Sequence, residues 1–176
     1  IPFSYETIDL YTGSTVPEAP SSRHWLGTDD VGRDVTARLI YGFRLSIMFG
    51  LVLTLLSSLF GVTVGAIQGY FGGMVDLIGQ RLVEVWTGLP VLFVLIIVSS
   101  LVQPGPFVLL VLLLAFSWTA LVPVVRAEFL RTRNFDHVRA AKALGRSDDV
   151  IIVRHVLPNA MVATLTYLPF VLNGSI

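Results

Sequence analysis

The stretch VWTGLPVLFVLIIVSSLVQPGPFVLLVLLLAFSWTALVPVV, residues 85–125, contains no Asp, Glu, Lys, Arg or His, and the tetrad Gln103-Pro104-Gly105-Pro106 is its one interruption. As a single helix it would reach roughly 60 Å at ~1.5 Å per residue, about twice the hydrocarbon thickness of ~30 Å, so the run must fold back on itself. Pro-Gly-Pro is the place to turn, which predicts two membrane spans joined by a short connection.

Composition agrees with that reading. Hydrophobic residues make up 54% of 176 positions and charged residues 14%, and the mean hydropathy of +0.77 lies well above that of a soluble domain. The fold class is therefore an all-α polytopic membrane protein. Leu45–Ile67 is a further uncharged run, and Val156–Ile176 is a fourth, broken by Pro158 and Pro169. Spans are expected near 45–67, 83–103 and 106–125, with a partial one at 159–176. The chain begins with Ile1 and carries no signal-peptide pattern, which reads as a piece of a longer protein. It contains no cysteine, which excludes disulfides and thiolate metal sites.

The zero net charge conceals a segregation. Residues 126–155 hold seven basic side chains (Arg126, Arg131, Arg133, Arg139, Lys142, Arg146 and Arg154) against four acids, whereas residues 1–44 hold four Arg against six acids. The positive-inside rule places the basic loop in the cytoplasm, and parity then puts 68–84 inside and 103–106 outside. Residues 1–44 become an extracytoplasmic segment and 45–176 a transmembrane domain. Within 1–44, Thr28 is read as the cap of a short amphipathic helix with Asp29 and Asp30 in its first turn. The acids there lack the alternating spacing of a calcium loop, so no metal or cofactor is expected.

Ser57, Gly61, Gly65 and Gly69 recur every fourth residue and line one helix face, where a second backbone can approach closely. Spacing alone leaves open whether that partner lies in this chain or in another. Ionisable residues are missing from the interior of every predicted span, Glu84 standing at the edge of 83–103, so the chain offers no internal proton relay.

The basic loop, 126–158, reads as two short helices. Asn134 or Asp136 can cap the first, Ala140, Ala141, Ala143 and Leu144 make it smooth, and Gly145 suits a left-handed end. Ser147 can cap the second, and Pro158 marks the return to the membrane. A small-residue helix closed by a sharp turn is suited to insertion into a cleft on another protein.

Ala140-Ala141-x-x-x-Gly145 with Leu157-Pro158 resembles the EAA loop of membrane subunits of binding-protein-dependent ABC importers. Arg139 stands where Glu gives the motif its name and His155 where Ile is usual; both departures resemble the oligopeptide/dipeptide branch. Leu26-Gly27-Thr28-Asp29-Asp30-Val31-Gly32-Arg33-Asp34, then Arg38, Tyr41-Gly42 and Arg44, is similar to the signature of the C-type permeases of that branch, and Gly69–Asp76 matches as well. The resemblance covers about residues 24–176 and is particularly close to Yej-type permeases, associated with microcin C and peptide uptake. It implies a type I importer helical bundle, lacking here its first and last spans, in the bacterial inner membrane. It further implies peptides or peptide-like solutes as cargo, and a coupling role for Arg139, Ala140, Ala141, Leu144, Gly145, Leu157 and Pro158. The implied partners are a second homologous permease subunit, two ABC ATPase subunits, an extracytoplasmic solute-binding protein and membrane lipid.

Two other classes compete. Ala-Ala-x-x-Leu-Gly-x-Ser also resembles a helix-turn-helix, but here it is pinned between membrane spans with no room for supporting helices, so no nucleic acid is expected. No hydrolase or zinc motif is present, and Lys142, the only lysine, follows Ala141 rather than the Gly of a P-loop. The chain is thus expected to be no enzyme, with ATP hydrolysis on a separate subunit.

Overall fold

The computed structural model describes residues 4–8, 16–103 and 105–175. Pro104 of the predicted turn, residues 1–3 and 9–15 of the predicted outer segment, and Ile176 lie outside the described residues. The chain divides into two units, Ile1–Phe49 and Gly50–Ile176. Among the described residues the elements are helical, with two isolated β-bridges and no strand.

In the first unit the polypeptide between residues 16 and 34 closes into a loop that ends on the first helix, α1 (Val35–Phe71). Gly27 and Gly32 take φ of +75° and +87°, turns that side chains with a Cβ resist. The Gly27 carbonyl accepts from the Val35 N–H at 3.1 Å, which holds the turn shut. Asp29 and Asp30 therefore cannot form a first helical turn, and the short amphipathic helix expected from Thr28 is absent. Thr28 instead accepts the Glu18 N–H on its hydroxyl at 2.8 Å. Asp34 is the actual cap, its Oδ1 accepting the Ala37 N–H at 2.8 Å.

α1 is 37 residues long, roughly 55 Å at ~1.5 Å per residue, well beyond the predicted 45–67. It is followed by α2 (Gly73–Thr87) and α3 (Val91–Leu101), which meet at 62° across Gly88-Leu89-Pro90. That break falls inside the predicted 83–103 span and is a second interruption of the apolar run. Pro90 has no N–H to continue a helix, and Gly88 offers little resistance to ending one. α3 alone has 11 residues, too short to cross, whereas the bent pair together is long and apolar enough.

α4 (Pro106–Ser117), a 3₁₀ turn (Trp118–Ala120) and α5 (Val122–Thr132) run on as one 27-residue segment able to cross a membrane. Pro123 explains the tightened turn, because it cannot donate to the Thr119 carbonyl four residues back. The segment extends past the predicted 125 and carries Arg126 with it. Beyond it come α6 (Asp136–Ala143), α7 (Asp148–Ile151), a π turn (Ile152–Val156) and α8 (Leu157–Ser175). Pro158 accounts for the π turn: it has no N–H to give the Arg154 carbonyl four residues back, and the Leu157 N–H reaches back to Ile152.

Candidate functional site

The basic loop is a folded knot with its own apolar centre. Ala66 and Tyr70 of α1, Val125 and Phe129 of α5, Val138 and Ala141 of α6, Ile151 of α7, Val156 and Ala160 of α8 pack into one buried cluster. Each short helix is too brief to hold its shape alone, so burial of this cluster supplies what propensity cannot.

The footing of that knot is the small-residue face of α1. A Cβ at Gly61 would lie 2.6 Å from the Trp118 carbonyl oxygen, at Gly65 2.9 Å from the Val122 oxygen and Val125 Cβ, and at Gly69 2.5 Å from Phe129 Cβ. Ser57 is fully buried and donates its hydroxyl to the Thr54 carbonyl at 3.2 Å. The face thus lies against the 3₁₀ turn and α5 of the same chain, at distances only glycine allows.

Polar ties fasten the end of α1 to the loop. The Tyr70 O–H donates to Asp148 Oδ1 at 2.5 Å, and Arg133 Nη1 donates to the Tyr70 carbonyl at 3.0 Å. Gly72, with φ +64°, leaves room for the Arg133 guanidinium where a Cβ would collide. Arg126 forms a two-point ion pair with Asp76 of α2 through Nε–Oδ1 and Nη2–Oδ2, the latter 2.6 Å. Trp86 Nε1 donates to the Ala115 carbonyl at 2.7 Å, tying α2 to α4.

On α6 the residues separate by face. Val138 and Ala141 point inward; Arg139, Ala140 and Leu144 are exposed, Leu144 at 83%. Ala141 is 8% exposed and belongs to the chain's own cluster, whereas Ala140 and Leu144 lie outside it. Val138 and Ala141, three residues apart, share one face of the helix, and Leu144 lies just past its last turn. Phe135, not Asn134 or Asp136, occupies the cap position of α6, and no side chain caps it. Asn134 spends its amide on the Leu130 carbonyl at 3.0 Å.

Gly145 has φ +73° and open space where a Cβ would lie. Its N–H donates to the Lys142 carbonyl and the Arg146 N–H to the Ala141 carbonyl, which closes α6 as a left-handed C-terminal turn. Leu157 is half-buried against the cluster and Pro158 is exposed.

The charged signature before α1 is bound up in itself. Asp29 Oδ1 accepts the Val31 and Arg33 N–H groups at 3.0 and 2.8 Å, and its Oδ2 takes Arg38 Nη1 and Arg33 Nε. The Arg33 amide holds the Asp29 carboxyl below the usual carboxylate range, with the Val31 amide and Arg38 adding to it. Burial pushes Asp34 up, but His24 Nδ1 at 2.8 Å and the Ala37 amide outweigh it and leave Asp34 low. His24 itself is fully buried. Leu26 remains half exposed, its N–H on the Thr36 hydroxyl at 3.3 Å.

Helices long and apolar enough to cross a membrane are thus followed by a folded basic loop. Residues 61–176 match the family described as binding-protein-dependent transport system inner membrane component. The chain belongs to that family. Over its full length it is 59% identical to an inner membrane ABC transporter permease protein YejE of Escherichia coli K12, covering 52% of that protein. It is 51% identical to a peptidoglycan transport system permease protein YejE of Agrobacterium fabrum, again over 52% of it. Over 89% of the chain it is 38% identical to a dipeptide transport system permease protein DppC of Bacillus subtilis, covering 49% of that relative. The chain therefore spans about half the length of the relatives it matches.

Sequence reasoning missed Gln68, one residue past the predicted span. It is 3% exposed and its Oε1 accepts no hydrogen bond from the described residues. The signal available was a carboxamide inside the glycine repeat, between Gly65 and Gly69.

Proposed function

We propose that the protein is a membrane-spanning permease subunit of an ATP-driven importer for peptides or peptide-like solutes. In this reading the loop 126–158 lies in the cytoplasm and residues 1–44 outside, and the loop couples the bundle to an ATPase on a separate chain. The remaining partners are a second homologous permease, a second ATPase subunit and an extracytoplasmic solute-binding protein. The observation that carries the proposal is the folded loop: an apolar cluster fixes α6 rigidly to α1, α5 and α8, while Ala140 and Leu144 are left facing outward. A helix so held can pass force to the spans, which an unstructured loop cannot. The relatives named for dipeptide and peptidoglycan transport support the substrate class.

The test is uptake of labelled peptides by cells carrying the full-length permease and its neighbouring ATPase and binding-protein genes. Deleting the permease should abolish energy-dependent uptake; unchanged uptake would contradict the proposal. Orientation is tested with a single cysteine at Asp148, since residues 1–176 contribute none of their own. An impermeant thiol reagent outside intact cells should leave it unlabelled, and labelling would reverse the topology.

A further inference from the structure

We propose that the cleft between α1, α2 and the corner of the 3₁₀ turn with α5 is a subsite for the amide backbone of the transported peptide, in which Gln68 Oε1 accepts a peptide N–H. This rests on the importer reading. The cleft has a volume of about 250 Å³, and its polar lining comes from Gln68, Gln80, Glu84, Thr87, Thr119 and Arg126.

The lining carries no free charge. Arg126 is held in its two-point pair with Asp76, and Glu84 Oε2 lies 2.6 Å from Arg81 Nη1. Thr87 and Thr119 donate their hydroxyl protons to helix carbonyls, to Val83 and Glu84 in one case and to Phe116 in the other, which leaves hydroxyl lone pairs as acceptors. Two carboxamides and acceptor oxygens without net charge complement an amide group, and they do so for any side chain the amide carries.

Gln68 is the residue that most requires an occupant. It is 97% buried by its 3% exposure, and Oε1 has no partner among the described residues. An acceptor withdrawn from water and left unpaired is unfavourable, so a donor that reaches it from the cleft is favoured. Its position is built: a Cβ at Gly79 of α2 would come within 2.6–2.7 Å of the Gln68 Nε2, Cδ and Cγ atoms. The glycine leaves a flat seat on which the carboxamide lies.

The experiment uses the complete importer with full-length permease, presented with a mixed-sequence pool of tri- to hexapeptides and a matched pool in which one amide N–H is replaced by an ester oxygen. Recognition by the solute-binding protein contributes equally to every permease variant, so a change in the amide-to-ester uptake ratio reports the permease. Gln68→Met should lower that ratio about tenfold, the value of one hydrogen bond. Gly79→Ala, which displaces the carboxamide without altering it, should lower it several-fold even if Gln68→Met fails to assemble. Both are read alongside co-purification of the ATPase, which should be unchanged. An unchanged ratio in a variant that still co-purifies would overturn the subsite and leave the importer reading intact. Absence of any ATPase-dependent uptake of either pool by the unaltered importer would overturn the importer reading and the subsite together.

Discussion

The turn before α1 and the basic loop after α5 are the two charge-rich motifs of the molecule, and they use their charge in opposite ways. In the turn, both Asp29 oxygens and both Asp34 oxygens are engaged by neighbouring amides, arginines or His24. In the loop, Arg139, Lys142 and Arg146 face outward over an apolar interior. The first closes on itself and starts a helix; the second is held from behind and presents a surface. Motifs of similar polarity are therefore distinguished by where their side chains are engaged, not by their composition.

The largest expected effect strikes the footing of the loop. Gly69→Leu would drive a side chain into Phe129 and the Arg126 carbonyl, costing about 3 kcal/mol, the upper range for overpacking. It should lower the thermal unfolding midpoint of the detergent-solubilised permease. Val64→Leu, off that face and half-buried, should cost less than about 1 kcal/mol. Equal losses at both positions would remove the distinction between the glycine face and its surroundings.

Asp34→Ala comes next, because it takes away both the helix cap and the partner of His24 Nδ1. A loss of about 2 kcal/mol is expected, read as faster proteolysis between residues 16 and 34 with the loop unaffected. Acid should act at the same place. Asp29 and Asp34 have folded pKa values lowered from their ordinary range, so their contribution is present above the unfolded value of about 3.9 and is lost as pH falls through the lower folded values. Protease sensitivity of the turn should therefore rise only below about pH 4, and a rise between pH 5 and 7 would speak against the carboxylate contacts.

Gly145→Val is a smaller perturbation of stability. Nothing lies within reach of its Cβ, so the cost is conformational alone, about 1–2 kcal/mol for a β-branched residue at positive φ. It should strain the end of α6, lower the unfolding midpoint by only a few degrees, and reduce peptide uptake severely. Unimpaired uptake would show that this turn takes no part in coupling.

Much of the fold was legible because hydropathy and spacing report directly on membrane burial: helical spans and a basic loop between them follow from residues 45–67 and 85–158. What hydropathy hides is backbone chemistry inside an apolar run. Pro90 broke a predicted span although every neighbour is hydrophobic, and Pro123 tightened another. Capping at Thr28 was misread because the competing acceptor, Asp34, becomes available only after Gly27 and Gly32 reverse the chain. The loop's residues were legible as small and smooth, but two adjacent alanines carry no sign of which faces inward. That is decided by Ile151 and Val156, which only the folded loop brings beside Ala141.

The central claim is that the outward face of α6 docks on the ATPase while its inward face holds the loop together. Leu144→Asp and Ala141→Asp place the same charge three residues apart on the two faces. Leu144 is exposed, so its substitution should change stability by no more than about 0.5 kcal/mol, yet the permease should lose co-purification with its ATPase. Ala141→Asp should instead destabilise the permease itself, because it buries an unpaired charge in the cluster. The measurement is the unfolding midpoint and ATPase co-purification of both full-length variants side by side. A stable Leu144→Asp permease that no longer binds its ATPase is the predicted result, and full association in that variant would contradict the account.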